Sequence, residues 1–268
     1  MLQNGLYFFE NRYYNVNNIL FRRSRKVAVM INYQLSIFGT YNIVPTPENV
    51  TLLMNAVNQA TGEMFLPNLI SGQQVEIPTN RITTISNLGY VTQNQKYNIA
   101  ILNDRIDISF NRIDDTELTI VDFYNLAVKA LSAIMENSHL QARRLAANIQ
   151  AVGNTLSEEQ IANMGKRVIT SAAYYSEKPL VEWSTRINSE SSIQISGTDE
   201  KLNTILSIST AKSAPTQSTA LIYHLDINTL PLLTELRFDA ASLNDFVTGV
   251  TPIVDVILDD VERLTTIE

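Results

Sequence analysis

His224 and Asp226 stand two residues apart in a run of strand composition, Thr219 to Ile227, so their side chains share a face. There they could hydrogen-bond each other or hold a metal ion together. A metal site needs three or four protein ligands. His139 and His224 are the only histidines, and neither is followed by a second ligand at i+3 or i+4 on a helix. A structural histidine is therefore the stronger reading. A hydrolytic serine would have to recruit one of these histidines, yet no Gly-x-Ser-x-Gly elbow occurs in the chain. Asp255 and Asp259 lie one helical turn apart, with Asp260 and Glu262 following. Two-metal chemistry needs such acids to converge on one pocket. Interleaved with Val256, Leu258 and Val261, these read instead as the wet face of a terminal helix.

Other chemistries are removed by composition. The chain has no cysteine, which excludes thiol catalysis, disulfides, iron-sulfur clusters and cysteine zinc sites. Its nine glycines are scattered and form no phosphate-cradling loop. No catalytic residue, metal or cofactor is assigned from these residues.

A repeated script is more informative. Asp107-Ile108-Ser109 precedes a helix containing Asp122-Phe123, and Asp226-Ile227-Asn228 precedes one containing Asp245-Phe246. Such spacing at about 120 residues suggests one unit used twice. The two strand aspartates read first as turn-forming acids and second as a symmetric binding feature.

The best binding candidate lies at the start of the chain. Tyr7, Phe8, Phe9, Tyr13, Tyr14 and Phe21 lead into Arg22-Arg23-Ser24-Arg25-Lys26. Arginines among aromatic rings can pair phosphates and stack bases. With a net charge of -7, however, a basic segment that neutralises acids of this chain or of a partner is favoured. The stretch from Leu6 to Phe21 is too short for its own core and too apolar to dangle. It must cap the protein's own sheet or add to the exposed sheet edge of another copy or partner. A protein partner or homo-oligomer is thus expected ahead of nucleic acid, and no membrane association.

The elements that would position these residues follow from patterning. A 45% hydrophobic share with 18% charged residues suits a water-soluble core, and no run approaches a membrane span. The start has no basic patch leading into an apolar stretch, so no cleaved signal is expected. Val27 to Val44 reads as one bent strand or two short ones. Thr46-Pro47-Glu48 opens a helix that Gly62 ends. Leu66-Pro67-Asn68 reads as a turn. Short strands follow at Arg81 to Ile85, Tyr90 to Gln93, Tyr97 to Leu102 and Ile106 to Phe110, with a hairpin at Asn103-Asp104 and a helix from Leu118 to Glu136.

Arg144 to Val152 is ambiguous: its alanines favour helix, while Leu145, Ala147, Ile149 and Ala151 alternate as in a strand. Ser157 to Gln160 is a capping box opening a helix to about Arg167. Strands are expected at Leu180 to Ile187, Leu202 to Thr210 and Thr219 to Ile227, exposed loops at Asn188 to Asp199 and Ala211 to Ser218, and a last helix from Ala241 to Leu264.

Arg144-Leu145-Ala146-Ala147-Asn148, Glu182-Trp183-Ser184, Glu200-Lys201-Leu202-Asn203 and His224-Leu225-Asp226-Ile227, in that order, resemble a sporadically distributed family of uncharacterised bacterial proteins of about this length. The similarity covers the chain from about Val27 onward, and the aromatic N-terminal stretch departs from it. The resemblance implies tandem α+β halves, favours a strand over Arg144 to Val152, and points to accessory or defence-type loci. It assigns no activity.

The expected fold is α+β: an arm over 1–26, then similar halves over 27–138 and 139–268. Each half is expected to run strand, helix, several antiparallel strands and long helix, with its helices on one sheet face. The expected function is a non-enzymatic binding or scaffold subunit of a bacterial cytoplasmic assembly. The alternatives are a metal-assisted hydrolase or nuclease using carboxylates with His224, and a nucleic-acid clamp.

Overall fold

The computed structural model describes residues 28–76, 81–113, 118–168, 178, 180–212, 218–231 and 234–266. In chain order the elements are β1 (Ala28–Phe38), α1 (Pro47–Thr61), β2 (Phe65–Glu76), β3 (Arg81–Thr92), β4 (Tyr97–Ile101), β5 (Arg105–Asn111) and α2 (Ile120–Asn137). Then come β6 (Arg144–Leu156), α3 (Glu158–Val168), β7 (Ser184–Ile195), β8 (Thr198–Lys212), β9 (Thr219–Thr229) and α4 (Ala240–Thr266). The α+β class is borne out. Among the described residues the strands form a nine-stranded sheet in the order β2-β3-β4-β5-β1-β6-β9-β8-β7, and each pair of neighbours runs antiparallel.

Alternation fixes which face is buried. Tyr33, Leu35 and Ile37 of β1 share a face with Ile106, Ile108 and Phe110 of β5 and with Leu145, Ala147 and Ile149 of β6. All nine are buried. The helices cover this face, with α1 against α2, α2 against α4, and α4 against α3. From α2, Phe123, Ala127, Ala130 and Ile134 pack into it, and from α4, Leu243, Phe246, Val250 and Val254. By length and composition α4 could cross a membrane; here its apolar stripe is sealed against the sheet.

Each described helix is started by a side chain that takes a free backbone N–H. Thr46 Oγ1 accepts from Asn49 N–H at 3.3 Å, and Thr119 Oγ1 from Asp122 N–H at 3.1 Å. Ser157 and Gln160 cap α3 reciprocally. Asp239 Oδ1 accepts from Ser242 N–H at 3.0 Å to begin α4. Gly62 ends α1 at a φ of 76°, a conformation that costs glycine nothing.

Three expectations are corrected. Leu66-Pro67-Asn68 is not a turn; it lies within β2, an edge strand, where a missing N–H is tolerated. The two short strands at Arg81 to Ile85 and Tyr90 to Gln93 are one strand, β3. The expected loop from Asn188 to Asp199 is a long hairpin, β7 to β8, turned by Ser196 and Gly197 with φ of 50° and 77°. Two positive φ values in a two-residue loop match the twist of the flanking strands. The ambiguous segment at Arg144 is a strand, β6, at the centre of the sheet.

Candidate functional site on the open face of the sheet

Among the described residues no helix covers the second face of the sheet, and its centre is a grid of polar side chains. Register sets out the rows. Asn111, Asn32, Gln150 and His224 lie side by side across β5, β1, β6 and β9. The next row is Ser109, Gln34, Asn148 and Asp226, and the next, all four of them buried, Asp107, Ser36, Ala146 and Asn228. Arg105, Phe38 and Arg144 close it. A strand face turned from the core tolerates such residues. A surface this rich in uncharged amides offers donors and acceptors together.

The grid is partly tied to itself. Gln34 Nε2 donates to Ser36 Oγ at 2.9 Å, and Asn228 Nδ2 donates to Asp226 Oδ1 at 3.1 Å. Arg105 Nε lies 3.0 Å from Asp107 Oδ2. The Arg144 guanidinium sits 3.8 Å above the Phe38 ring, a cation–π geometry. Asp107 is buried and its Oδ1 has no hydrogen-bond partner. Burial pushes its pKa above the ordinary 3.8, while Ser36, Arg105 and Gln34 pull it back only in part. Burial also lowers Arg144, with Asp226 opposing that shift.

A cleft of ≈ 390 Å³ opens in this grid, lined by Asn32, Gln34, Arg105, Ser109, Asn111, Asn148, Gln150 and His224, with Tyr33 at its floor. Its chemistry is hydrogen bonding by neutral groups, flanked by one guanidinium and one imidazole. Two more apolar clefts lie on the helix layer, one between α1 and α2 at Leu52, Ala56 and Ala133 and one at the end of α2 around Met135, His139 and Leu140.

The structure places His224 and Asp226 on the same open face of β9, as their spacing implies. His224 lines the cleft, but neither Asp226 nor another carboxylate does. Among the described residues no group of three or more His, Asp or Glu side chains is placed to hold a metal ion. Asp107 and Asp226 are not turn residues. Each sits inside a strand with neighbours on both sides, Asp107 between Ser36 and Ala100 and Asp226 between Asn148 and Ile205.

The two Asp-Phe pairs also part company. Phe123 and Phe246 are both fully buried, but Asp122 belongs to the cap of α2. Asp245 instead accepts a hydrogen bond from Ser196 N–H at 2.9 Å, tying α4 to the β7–β8 turn. Asp255 and Asp260 are exposed on α4, with Asp259 and Glu262 half-buried.

The proposed partner-binding residues Tyr7, Phe8, Phe9, Tyr13, Tyr14, Phe21, Arg22, Arg23, Arg25 and Lys26 lie outside the described residues. The amide grid was not picked out from the sequence. Its signal was present as Asn32, Gln34 and Ser36 and as Asn148 and Gln150, the polar half of two alternating strands. No protein-family model and no curated protein matches the chain.

Proposed function

We propose that the protein is a non-enzymatic binding or scaffold subunit of a bacterial cytoplasmic assembly, and that it receives its partner on the open face of the sheet. The observation that carries this reading is the polar grid across β5, β1, β6 and β9, in which Asn, Gln and Ser side chains predominate around His224, Asp107 and Asp226. Its neutral amides and hydroxyls can satisfy a polar, neutral partner surface without adding the desolvation cost of further buried charge. Asp107 and Asp226 within it, and the net charge of -7, weigh against a phosphate backbone.

The same reading takes the chain as one α+β unit used twice, with its boundary between α2 and β6. Strand order supports this, because in each half the first strand neighbours the last, β1 beside β5 and β6 beside β9. In each half, too, a helix follows the first strand and a long helix follows the last.

The test is retention of a stoichiometric partner from the source cytosol by the full chain. The open-face variants Asn148→Arg and Gln150→Glu are compared with Val121→Ser, on an exposed position of α2. Loss of the partner with the open-face variants alone supports the reading. Equal retention by all three, or binding of a duplex oligonucleotide that weakens steeply with salt, overturns it.

A further inference from the structure

Among the described residues the sheet ends in two edge strands of opposite design. β2 carries Pro67 and Gly72, residues that spoil an edge as a template for further pairing. β7, Ser184–Ile195, contains no proline, glycine or lysine and is exposed along nearly all of its length. Among the described residues no strand pairs with its outer side. Its charges are also arranged symmetrically. Arg186 and Glu190 lie on the same face, two residues to either side of Asn188, and both are exposed. Neither makes an ion pair among the described residues.

We propose that two copies of the chain associate through β7, antiparallel about a two-fold axis at Asn188, so that one sheet runs through both. In this register Arg186 faces the partner's Glu190, and Glu190 faces the partner's Arg186. Asn188 meets the partner's Asn188, and Ser184 meets the partner's Ser192. No like charges are opposed. Ile187, 56% exposed on the helix side of β7, lies beside the axis, opposite the partner's Ser189 and diagonal to the partner's Ile187. A slip of one residue would turn Ile187 to the wrong face, and a slip of two would separate the charges. Isologous pairing of this kind closes on itself as a dimer and does not propagate. The inference rests on the reading of the protein as an assembly subunit and assigns the surface by which it meets its own kind.

Light scattering of the full chain over a concentration series tests it. The expected mass is twice the 30.1 kDa of one chain. Arg186→Glu and Glu190→Arg each replace both attractive pairs by repulsive ones, and each should weaken the dimer by at least about tenfold. The double variant restores it, because the pairs re-form with the charges exchanged. So does an equimolar mixture of the two single variants, which pair only with each other. Fluorescence of the buried Trp183 should match in all variants, showing that each folds. A wild-type chain that stays monomeric, or a dimer indifferent to these reversals, overturns the proposal while leaving the open-face result untouched. Loss of the open-face partner's dependence on Asn148 would do the converse.

Discussion

Asp107 lies opposite Ser36 and Asp226 opposite Asn148, and those two partners flank the Leu35–Ala147 pair symmetrically, one residue to either side. The two aspartates therefore hold equivalent positions on the open face, but their surroundings differ. Asp226 is half-buried and accepts from Asn228 at Oδ1, whereas Asp107 is buried with its Oδ1 unpaired. A matched backbone position has been given two electrostatic environments, which gives the open face a polarity of its own.

Asp107→Asn tests that difference. Burial raises the Asp107 pKa above 3.8, so ionisation costs more in the folded chain than in the unfolded one. Below 3.8 both states hold the proton and there is no penalty. As pH rises through the folded value, that part of the stability is lost. The wild type should thus lose stability over this interval, and the asparagine variant should not. Thermal denaturation from pH 3.5 to 7 checks it: the variant's curve lies above the wild type's at pH 7, and the two converge in acid. A variant less stable at pH 7 would show that the Arg105 pairing outweighs the burial.

Glu200 and Arg237 form a two-pronged ion pair at 2.9 and 3.2 Å, and Arg237 also donates to the Arg143 carbonyl. Both side chains are largely buried. The pair fastens the segment before α4 to β8. Removing one member strands the other charge, so Glu200→Ala or Arg237→Ala should cost about 3 kcal/mol. Replacing both by apolar residues, Glu200→Leu with Arg237→Met, should cost much less than the sum. A double-mutant cycle in urea measures the coupling.

Gly249 lets α4 approach β7. A Cβ there would stand 2.9 Å from Ile193 Cδ1 and 3.1 Å from Ile193 Cβ. Gly249→Ala gains about 1 kcal/mol of helix propensity against an overpacking cost of about 1–3 kcal/mol, so the net effect is a modest destabilisation. In an Ile193→Ala background the contact is relieved and the sign should reverse. Urea midpoints of the four proteins in this cycle decide it.

How far the sequence discloses this molecule depends on whether a residue's role is local. Thr46, Pro47 and Gly62 delimit α1 by backbone chemistry within one turn, and Asn103-Asp104 marks its hairpin in the same way. Strands are expected at both outer ends of the β7–β8 hairpin, but the segment from Asn188 onward reads as a loop because its exposed Ser, Asn and Glu residues show no apolar alternation before Ile193 and Ile195. Only the Ser196-Gly197 turn betrayed it. The candidate site was half legible for a similar reason. His224 and Asp226 share a face by spacing alone. That Gln34 should meet Asn148 and Ser109 depends on strand order, which no local pattern encodes.

Asp239 begins α4, and its carboxylate titrates below its ordinary value because Ser242 donates to it from both side chain and backbone. With the folded pKa depressed, the stability it contributes is present above 3.8 and is lost as pH falls through the folded value. Asp239→Ala should cost about 1 kcal/mol at neutral pH, and its gap from the wild type should narrow in acid. Asp239→Asn keeps an accepting oxygen without the charge. It should stay near the wild type at pH 7 and show less of the acid dependence. If both variants lose equally and the gap is the same at pH 2.5 and 7, the carboxylate's charge contributes nothing and α4 is held by its apolar stripe alone.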